Sequence, residues 1–115
     1  MDQVYELSQS GSIKVLRVHN LLSEFANREI LGAAQACIDE GFNRFVVDLE
    51  GMPYTNSVGL NFLISLQSRC QDQNGSIVIV NVSKKIIQLL EITKLQPLFH
   101  LTDSVDEALR LLDEV

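Results

Sequence analysis

Apolar and polar residues follow two patterns along the chain: short apolar runs, and longer segments with apolar residues every three or four positions. The short runs predict five β-strands, at residues 4–7, 12–19, 45–49, 76–81 and 98–101. The longer segments predict four α-helices, at residues 23–40, 58–73 and 84–93 and after a cap at Thr102 or Asp103. The resulting order, β-β-α-β-α-β-α-β-α, predicts an α/β fold with a mixed, mostly parallel sheet of about five strands and about four helices.

The same pattern predicts which faces of the first elements are buried. Ser10-Gly11 suits a hairpin turn between the first two strands. The second strand alternates with a slip near Leu16, so we expect one buried face and one partly wet face. Ser23 is a plausible N-cap of the first helix, and Gly41 is placed to end it. The stripe of this helix that we expect to face the sheet consists of Leu22, Phe25, Ala26, Ile30, Ala33, Ala34 and Cys37.

The second predicted helix has a sheet-facing stripe and an outward side. The stripe consists of Leu60, Leu63, Ile64 and Cys70, with Gln67 near its edge. The outward residues are Val58, Asn61, Phe62, Ser65 and Arg69. An exposed aromatic ring is a frequent anchor in protein interfaces, which makes Phe62 a candidate docking residue. A slightly rotated helix would bury Phe62 instead.

Ser57 lies where the loop after the third strand meets the start of the second helix. The backbone N–H groups at such a helix start lack partners within the helix, and the helix dipole is positive there. This position favours an oxygen ligand or a phosphate, so Ser57 is a candidate phosphorylation site. The alternative is that Ser57 is simply a helix cap. For Asn56, a role as a cap or turn residue is favoured over a ligand contact.

Composition limits the classes of function. The chain has 115 residues, a length that predicts one domain over residues 1–115. Its formal net charge is −6, which makes nucleic acid and anionic membranes poor candidates as partners. The N-terminus has no signal-peptide pattern and no apolar stretch is long enough to span a bilayer, so we expect a cytoplasmic protein. Cys37 and Cys70 are expected to be buried, reduced thiols.

The residues that carry chemistry elsewhere in the chain do not form a recognisable catalytic or metal-binding pattern. His19 and His100 are far apart in sequence, and neither has a companion at metal-ligand or triad spacing. The segment around Ser57 is not Gly-x-Ser-x-Gly, and no phosphate-binding or dinucleotide fingerprint occurs. Asp48 and Glu50 are more typical of a solvated or capping pair than of an acid/base pair. We therefore expect no catalytic residues, no metal site and no cofactor.

Four short motifs occur in order along the predicted elements. They are Asp48-Leu49 followed by Asn56-Ser57-Val58-Gly59-Leu60; Asn74-Gly75 before a strand; Ser83 with Ile86 and Leu89-Leu90; and Leu98-Phe99 with Asp106-Glu107-Ala108-Leu109. Together they resemble the STAS domain, the fold of bacterial anti-sigma factor antagonists, over roughly residues 4–112. At the place of Asn56-Ser57-Val58-Gly59-Leu60, that family has Asp-Ser-Ser/Thr-Gly-Leu. The chain departs from the family at Asn56, which replaces an acid, and at Val58, which removes a neighbouring hydroxyl.

The resemblance implies a regulator of transcription that works by partner switching. In the family, the serine aligned with Ser57 is phosphorylated by a kinase that is also an anti-sigma factor, and a PP2C-type phosphatase restores it. The unphosphorylated form binds the kinase and frees the sigma factor. The expected partner-binding residues are Asn56, Ser57, Val58, Asn61, Phe62 and Ser65. Two alternatives stay open: a STAS-like accessory subunit of an ABC-type lipid transporter, and a hydrolase built on Ser57.

Overall fold

The computed structural model describes residues 5–19 and 23–113. Its five strands are β1 (Tyr5–Ser10), β2 (Ile13–Val18), β3 (Arg44–Asp48), β4 (Ser76–Val80) and β5 (His100–Thr102). Its four α-helices are α1 (Glu24–Asp39), α2 (Ser57–Asp72), α3 (Lys84–Ile92) and α4 (Val105–Asp113). A short 3₁₀ turn, Gln96–Leu98, precedes β5. The predicted element order is confirmed, and the 3₁₀ turn around Pro97 is the addition.

The five strands form one sheet in the order β1-β2-β3-β4-β5. β1 pairs with β2 antiparallel, and every later pair is parallel. This confirms the mixed, mostly parallel sheet. Because each new strand is added on the same side of the previous one, the three crossover helices α1, α2 and α3 cover one face. The last helix, α4, follows the edge strand β5 and covers the other face.

Both faces of the sheet are therefore covered, each by its own apolar cluster. Residues Leu16 and Val18 of β2 point into the larger cluster with α1, α2 and α3. Ile13 of the same strand points into the smaller cluster with α4, and Val15 packs against it. The expectation of one buried and one partly wet face is confirmed for β2, since the face with Ile13 also has the half-buried Val15 and the exposed Arg17. The prediction that Ile13 and Val15 share the buried face with Val18 was wrong. The break in the alternation near Leu16 arises because β2 has apolar residues on both sides, and helices cover both faces of the sheet.

Several predicted boundaries and faces shift in the structure. The hairpin turn lies at Gly11-Ser12, one residue later than expected, and Gly11 has a positive φ of 60°. The N-cap of α4 is Ser104, whose Oγ accepts from Glu107 N at 3.2 Å, so the prediction of Thr102 or Asp103 was wrong. Phe25 is 70% exposed and does not join the inner stripe of α1. The predictions for Val4 and Leu22 lie outside the described residues.

The connection from α2 to β4 is tight. Asn74 takes the left-handed conformation with φ 64°, and Gly75 N donates to Cys70 O at 2.7 Å. A Cβ on Gly75 would lie 1.8 Å from the backbone oxygen of Asn43. The motif Asn74-Gly75 therefore ends α2 as predicted, with Asn74 supplying the positive φ and Gly75 the close approach to the chain before β3.

Candidate functional site

The loop between β3 and α2, residues 49–56, is held in place by contacts with β4, with the core and with the start of α3. Leu49 N donates to Val80 O at 3.1 Å, which extends the pairing of β3 with β4. Met52 is buried in the larger core cluster, and its N–H donates to Leu49 O at 2.9 Å. The Ser83 hydroxyl donates to Pro53 O at 2.6 Å while it accepts from Ile86 N at 3.2 Å. The cap of α3 therefore also anchors the loop that leads to α2.

A buried carboxylate, Asp48, stabilises the base of this loop. Its side chain is 1% exposed, so its charge needs hydrogen-bond donors within the protein. Oδ1 accepts from Glu50 N and from Asn81 Nδ2, both at 3.0 Å. Oδ2 accepts from Arg17 Nε at 3.2 Å. Asp48 therefore joins the carboxyl ends of three neighbouring strands, and its geometry is that of a structural capping residue, as predicted.

Asn56 is the N-cap of α2. Its Oδ1 accepts from Val58 N at 3.0 Å and from Gly59 N at 3.2 Å, and its backbone oxygen accepts from Leu60 N at 3.0 Å. The prediction that Asn56 caps the helix is confirmed. The alternative that Ser57 is the cap was wrong, since α2 begins at Ser57 and Asn56 already occupies the donors that a cap would take.

Two hydroxyl side chains lie at this helix start, and their environments differ. Ser57 is exposed, at the first position of α2. Thr55 is buried, and its Oγ1 has no hydrogen-bond partner among the described residues. A modifying enzyme needs access to the oxygen that it modifies. Of the two hydroxyls, that of Ser57 is therefore the accessible one.

The outer side of α2 differs from the prediction at one residue. Asn61 is exposed, and Val58 and Ser65 are partly exposed. Phe62 is 0% exposed and belongs to the larger core cluster. Phe62 was predicted to be a docking anchor, and this was wrong, because a fully buried ring presents no surface to a partner.

The burial of Phe62 follows from the position of α2 in the middle of its layer. On one side, Arg69 of α2 donates to Gln35 of α1 at 2.8 Å. On the other side, Gln67 of α2 donates to Leu98 O in the 3₁₀ turn at 2.8 Å. A helix with neighbours on both sides buries a wider arc than the stripe that faces the sheet. A helical wheel of α2 alone does not include these neighbouring elements, so it does not predict the burial of Phe62.

Sequence reasoning missed Tyr54, an exposed aromatic residue three positions before Ser57. Tyr54 is 53% exposed and lies in the loop before α2. Tyr54 lies outside every periodic segment, so helical and strand periodicity does not indicate its exposure. An aromatic residue in a Pro-containing loop beside a candidate site is the signal that would have identified it.

A groove of about 210 Å³ separates the first turns of α1 and α2. It is lined by Glu24, Asn27, Arg28, Val58 and Asn61. Two of these residues, Val58 and Asn61, are on the predicted partner-binding side of α2. The Asn27 Oδ1 atom is buried and has no partner among the described residues. The groove therefore continues the surface around Ser57 onto α1, and it has polar and charged side chains.

The remaining chemistry-bearing residues do not join this site. His19 Nε2 lies 3.1 Å from Glu6 Oε2, and His100 is on the edge strand β5. Within residues 5–19 and 23–113, no group of His, Cys, Asp or Glu could hold a metal ion. Cys37 and Cys70 are buried free thiols, as predicted. Burial raises the pKa of Cys70 to about 12, and burial likewise raises the pKa of Cys37 against the opposing effect of Lys14.

Comparison with known proteins gives consistent results in sequence and in structure. The family model described as the STAS domain matches residues 5–108. The anti-sigma-B factor antagonist of Staphylococcus aureus is 27% identical over 105 residues, which cover 91% of this chain and 89% of that protein. No helix in the described part of the chain is long and apolar enough to cross a membrane.

Solved structures show the same fold at lower identity. An anti-sigma-factor antagonist (STAS) domain protein from Planctomyces limnophilus superposes with a TM-score of 0.82 at 17% identity, covering 95% of this chain and 97% of that chain. The anti-sigma factor antagonist SpoIIAA of Bacillus, in its unphosphorylated form, superposes with a TM-score of 0.81 at 16% identity, covering 96% and 97%. SpoIIAA has also been solved in its phosphorylated form, with a TM-score of 0.73 at 17% identity and coverage of 92% and 96%.

Proposed function

Because this chain belongs to the STAS domain family, we propose that it is an anti-sigma factor antagonist that works by partner switching. In this proposal, the unphosphorylated protein binds an anti-sigma factor that is also a serine kinase. The kinase phosphorylates Ser57, the complex dissociates, and a PP2C-type phosphatase restores the binding form. The protein acts in the cytoplasm as a regulatory binding protein and not as an enzyme.

The observation that carries the proposal is the exposed hydroxyl of Ser57 at the first position of α2. Asn56 caps the helix, so the Ser57 side chain is not required for capping. The neighbouring hydroxyl of Thr55 is buried. Relatives of the chain are named anti-sigma-B factor antagonists, and the structural neighbour SpoIIAA exists in phosphorylated and unphosphorylated forms.

Phosphorylation at this position would change the docking surface by charge. A phosphoserine carries about −1.5 to −2 charges at neutral pH. On a surface that must lose water to bind a partner, that charge adds repulsion and a desolvation cost. A coupling of about 1–3 kcal/mol would weaken binding by roughly 5- to 150-fold.

The proposed docking surface is defined by the exposed residues around Ser57. It consists of Asn56, Ser57, Val58, Asn61 and Ser65, together with Tyr54. Tyr54 takes the place that was predicted for Phe62, since it is an exposed aromatic residue in the loop that leads to Ser57. Aromatic residues at the centre of an interface often contribute much of the binding energy.

The first experiment is affinity capture of the protein from its native cell, followed by mapping of phosphorylated residues. We expect a kinase-type anti-sigma factor as the partner and phosphate on Ser57. Co-purification with an ATPase subunit of a transporter, without any kinase, would contradict the proposal. The relatives described above give no support to such a transporter subunit.

The second experiment measures binding of purified variants to the captured partner. Ser57→Ala is expected to bind like the unmodified protein, and Ser57→Asp is expected to bind more weakly. Ser68, another exposed serine on α2, offers matched controls, because Ser68→Asp adds the same charge to the same helix. Equal binding by Ser57→Ala and Ser57→Asp would refute the role of Ser57 as a switch.

A further inference from the structure

We propose that Arg28 of α1 binds the phosphate of modified Ser57 across the groove between α1 and α2. This inference rests on the proposed phosphorylation of Ser57 and adds a receptor for the phosphate within the same domain. The ion pair would lie over Val58 and Asn61, which line the groove with Arg28. Modification would then remove part of the docking surface as well as change its charge.

The relative position of the two helices brings Arg28 toward the start of α2. Arg69 of α2 donates to Gln35 of α1 at 2.8 Å, which fixes how far the helices are offset along their axes. This contact lies at a similar distance from the start of each helix, and both helices rise about 1.5 Å per residue. Their first turns therefore lie side by side. Helical side chains point back toward the N-terminus of their helix. Arg28 lines the groove beside Val58 and Asn61, and a long side chain on the second turn of α1 can reach from there toward the level of Ser57.

Arg28 is also available to accept a phosphate. It is exposed, and it forms no ion pair with any described residue. The planar guanidinium can bind two phosphate oxygens at once, which is stronger than a single neutral hydrogen bond. The other charged residue that lines the groove is Glu24, in the first turn of α1. Its carboxylate opposes the phosphate and limits the strength of the ion pair.

The experiment installs phosphoserine at position 57 of the full chain by semisynthesis or genetic encoding and follows its titration by ³¹P NMR. The second pKa of a phosphoserine is about 6, and a nearby guanidinium lowers it. At the strength of an exposed ion pair, Arg28→Gln should raise this pKa by about 0.3–0.7. Arg28→Lys keeps the charge and should retain part of the effect, whereas Glu24→Gln should lower the pKa further.

Arg110→Gln is the matched control, because Arg110 is exposed on α4, on the other face of the sheet. It removes the same charge from the protein but not from the groove, so the phosphate should titrate as in the unsubstituted protein. Circular dichroism of each variant verifies that it is folded. Identical titrations of the Arg28→Gln and Arg110→Gln proteins would overturn the inference. Because the phosphate is installed without a kinase, that result would not contradict the proposed partner switching. Conversely, a failure of partner binding would not contradict the ion pair.

Discussion

The burial of Phe62 leads to a quantitative prediction that separates a core residue from a docking residue. Its ring is 0% exposed within the larger core cluster. Phe62→Ala removes the buried ring and leaves a cavity, which typically lowers the free energy of unfolding by about 3–5 kcal/mol. A domain of this size has a total of about 5–15 kcal/mol, so the variant should be much less stable. At roughly 4 °C per kcal/mol, its Tm should fall by about 12–20 °C.

The assay is urea unfolding followed by circular dichroism. With a slope of about 1.5 kcal/mol per molar urea, the midpoint should fall by about 2–3 M with little change in slope. Phe62→Leu fills much of the same space and should lose only about 1–2 kcal/mol, which keeps the test informative if the alanine variant does not fold.

Tyr54→Ala is the control for an exposed aromatic residue in the same region. Tyr54 is 53% exposed, so its replacement should change stability by no more than about 0.5 kcal/mol. If Phe62→Ala had the stability of the unsubstituted protein but bound a partner more weakly, the reasoning from burial would be refuted. In that case Phe62 would be the docking anchor that the helical pattern predicted.

Three further predictions concern backbone packing, capping and thiol chemistry. Gly75→Ala should lower the free energy of unfolding by about 3 kcal/mol, because its Cβ would lie 1.8 Å from the Asn43 backbone. In the same urea assay, Gly32→Ala in helix α1 should raise it by about 0.5–1 kcal/mol, because a Cβ there has nothing within 4 Å. Asn56→Ala should lower stability by about 1 kcal/mol through loss of the cap, and Asn56→Asp should not; equal thermal unfolding of the two variants would contradict the capping role. The Cys70 thiol should resist a disulfide reagent in the native protein at pH 8 and react in urea. Burial raises its pKa from 9.0 to about 12, so the stability that the neutral thiol contributes is present below pH 9 and is lost as the pH rises toward 12.

The candidate site was predictable where it depends on local sequence. The residue types around the start of α2 identify a capped helix start with a hydroxyl beside it, and Asn56 and Ser57 occupy these roles. The difference between the exposed Ser57 and the buried Thr55 was not predictable, because it depends on how the loop lies against the core. The contact between Ser83 and Pro53 that anchors this loop joins residues far apart in the chain.

The groove between α1 and α2 was beyond the reach of sequence reasoning for the same cause. Glu24 and Arg28 come from one helix and Val58 and Asn61 from another, and no periodic pattern relates the two sets. Their proximity depends on the offset between the helices, which the contact between Gln35 and Arg69 fixes.

By itself, the sequence determined the number, kind and order of the elements, because hydrophobic periodicity and capping act over a few neighbouring residues. It also determined that the sheet is mostly parallel, since strands alternate with helices after the hairpin. The tertiary structure decided which sides of each element meet other elements. Phe62 is buried because α2 has neighbours on both sides, and Ile13 and Leu16 are both buried because helices cover both faces of β2. Burial is a property of the whole packed arrangement, so the pattern of one segment does not contain it.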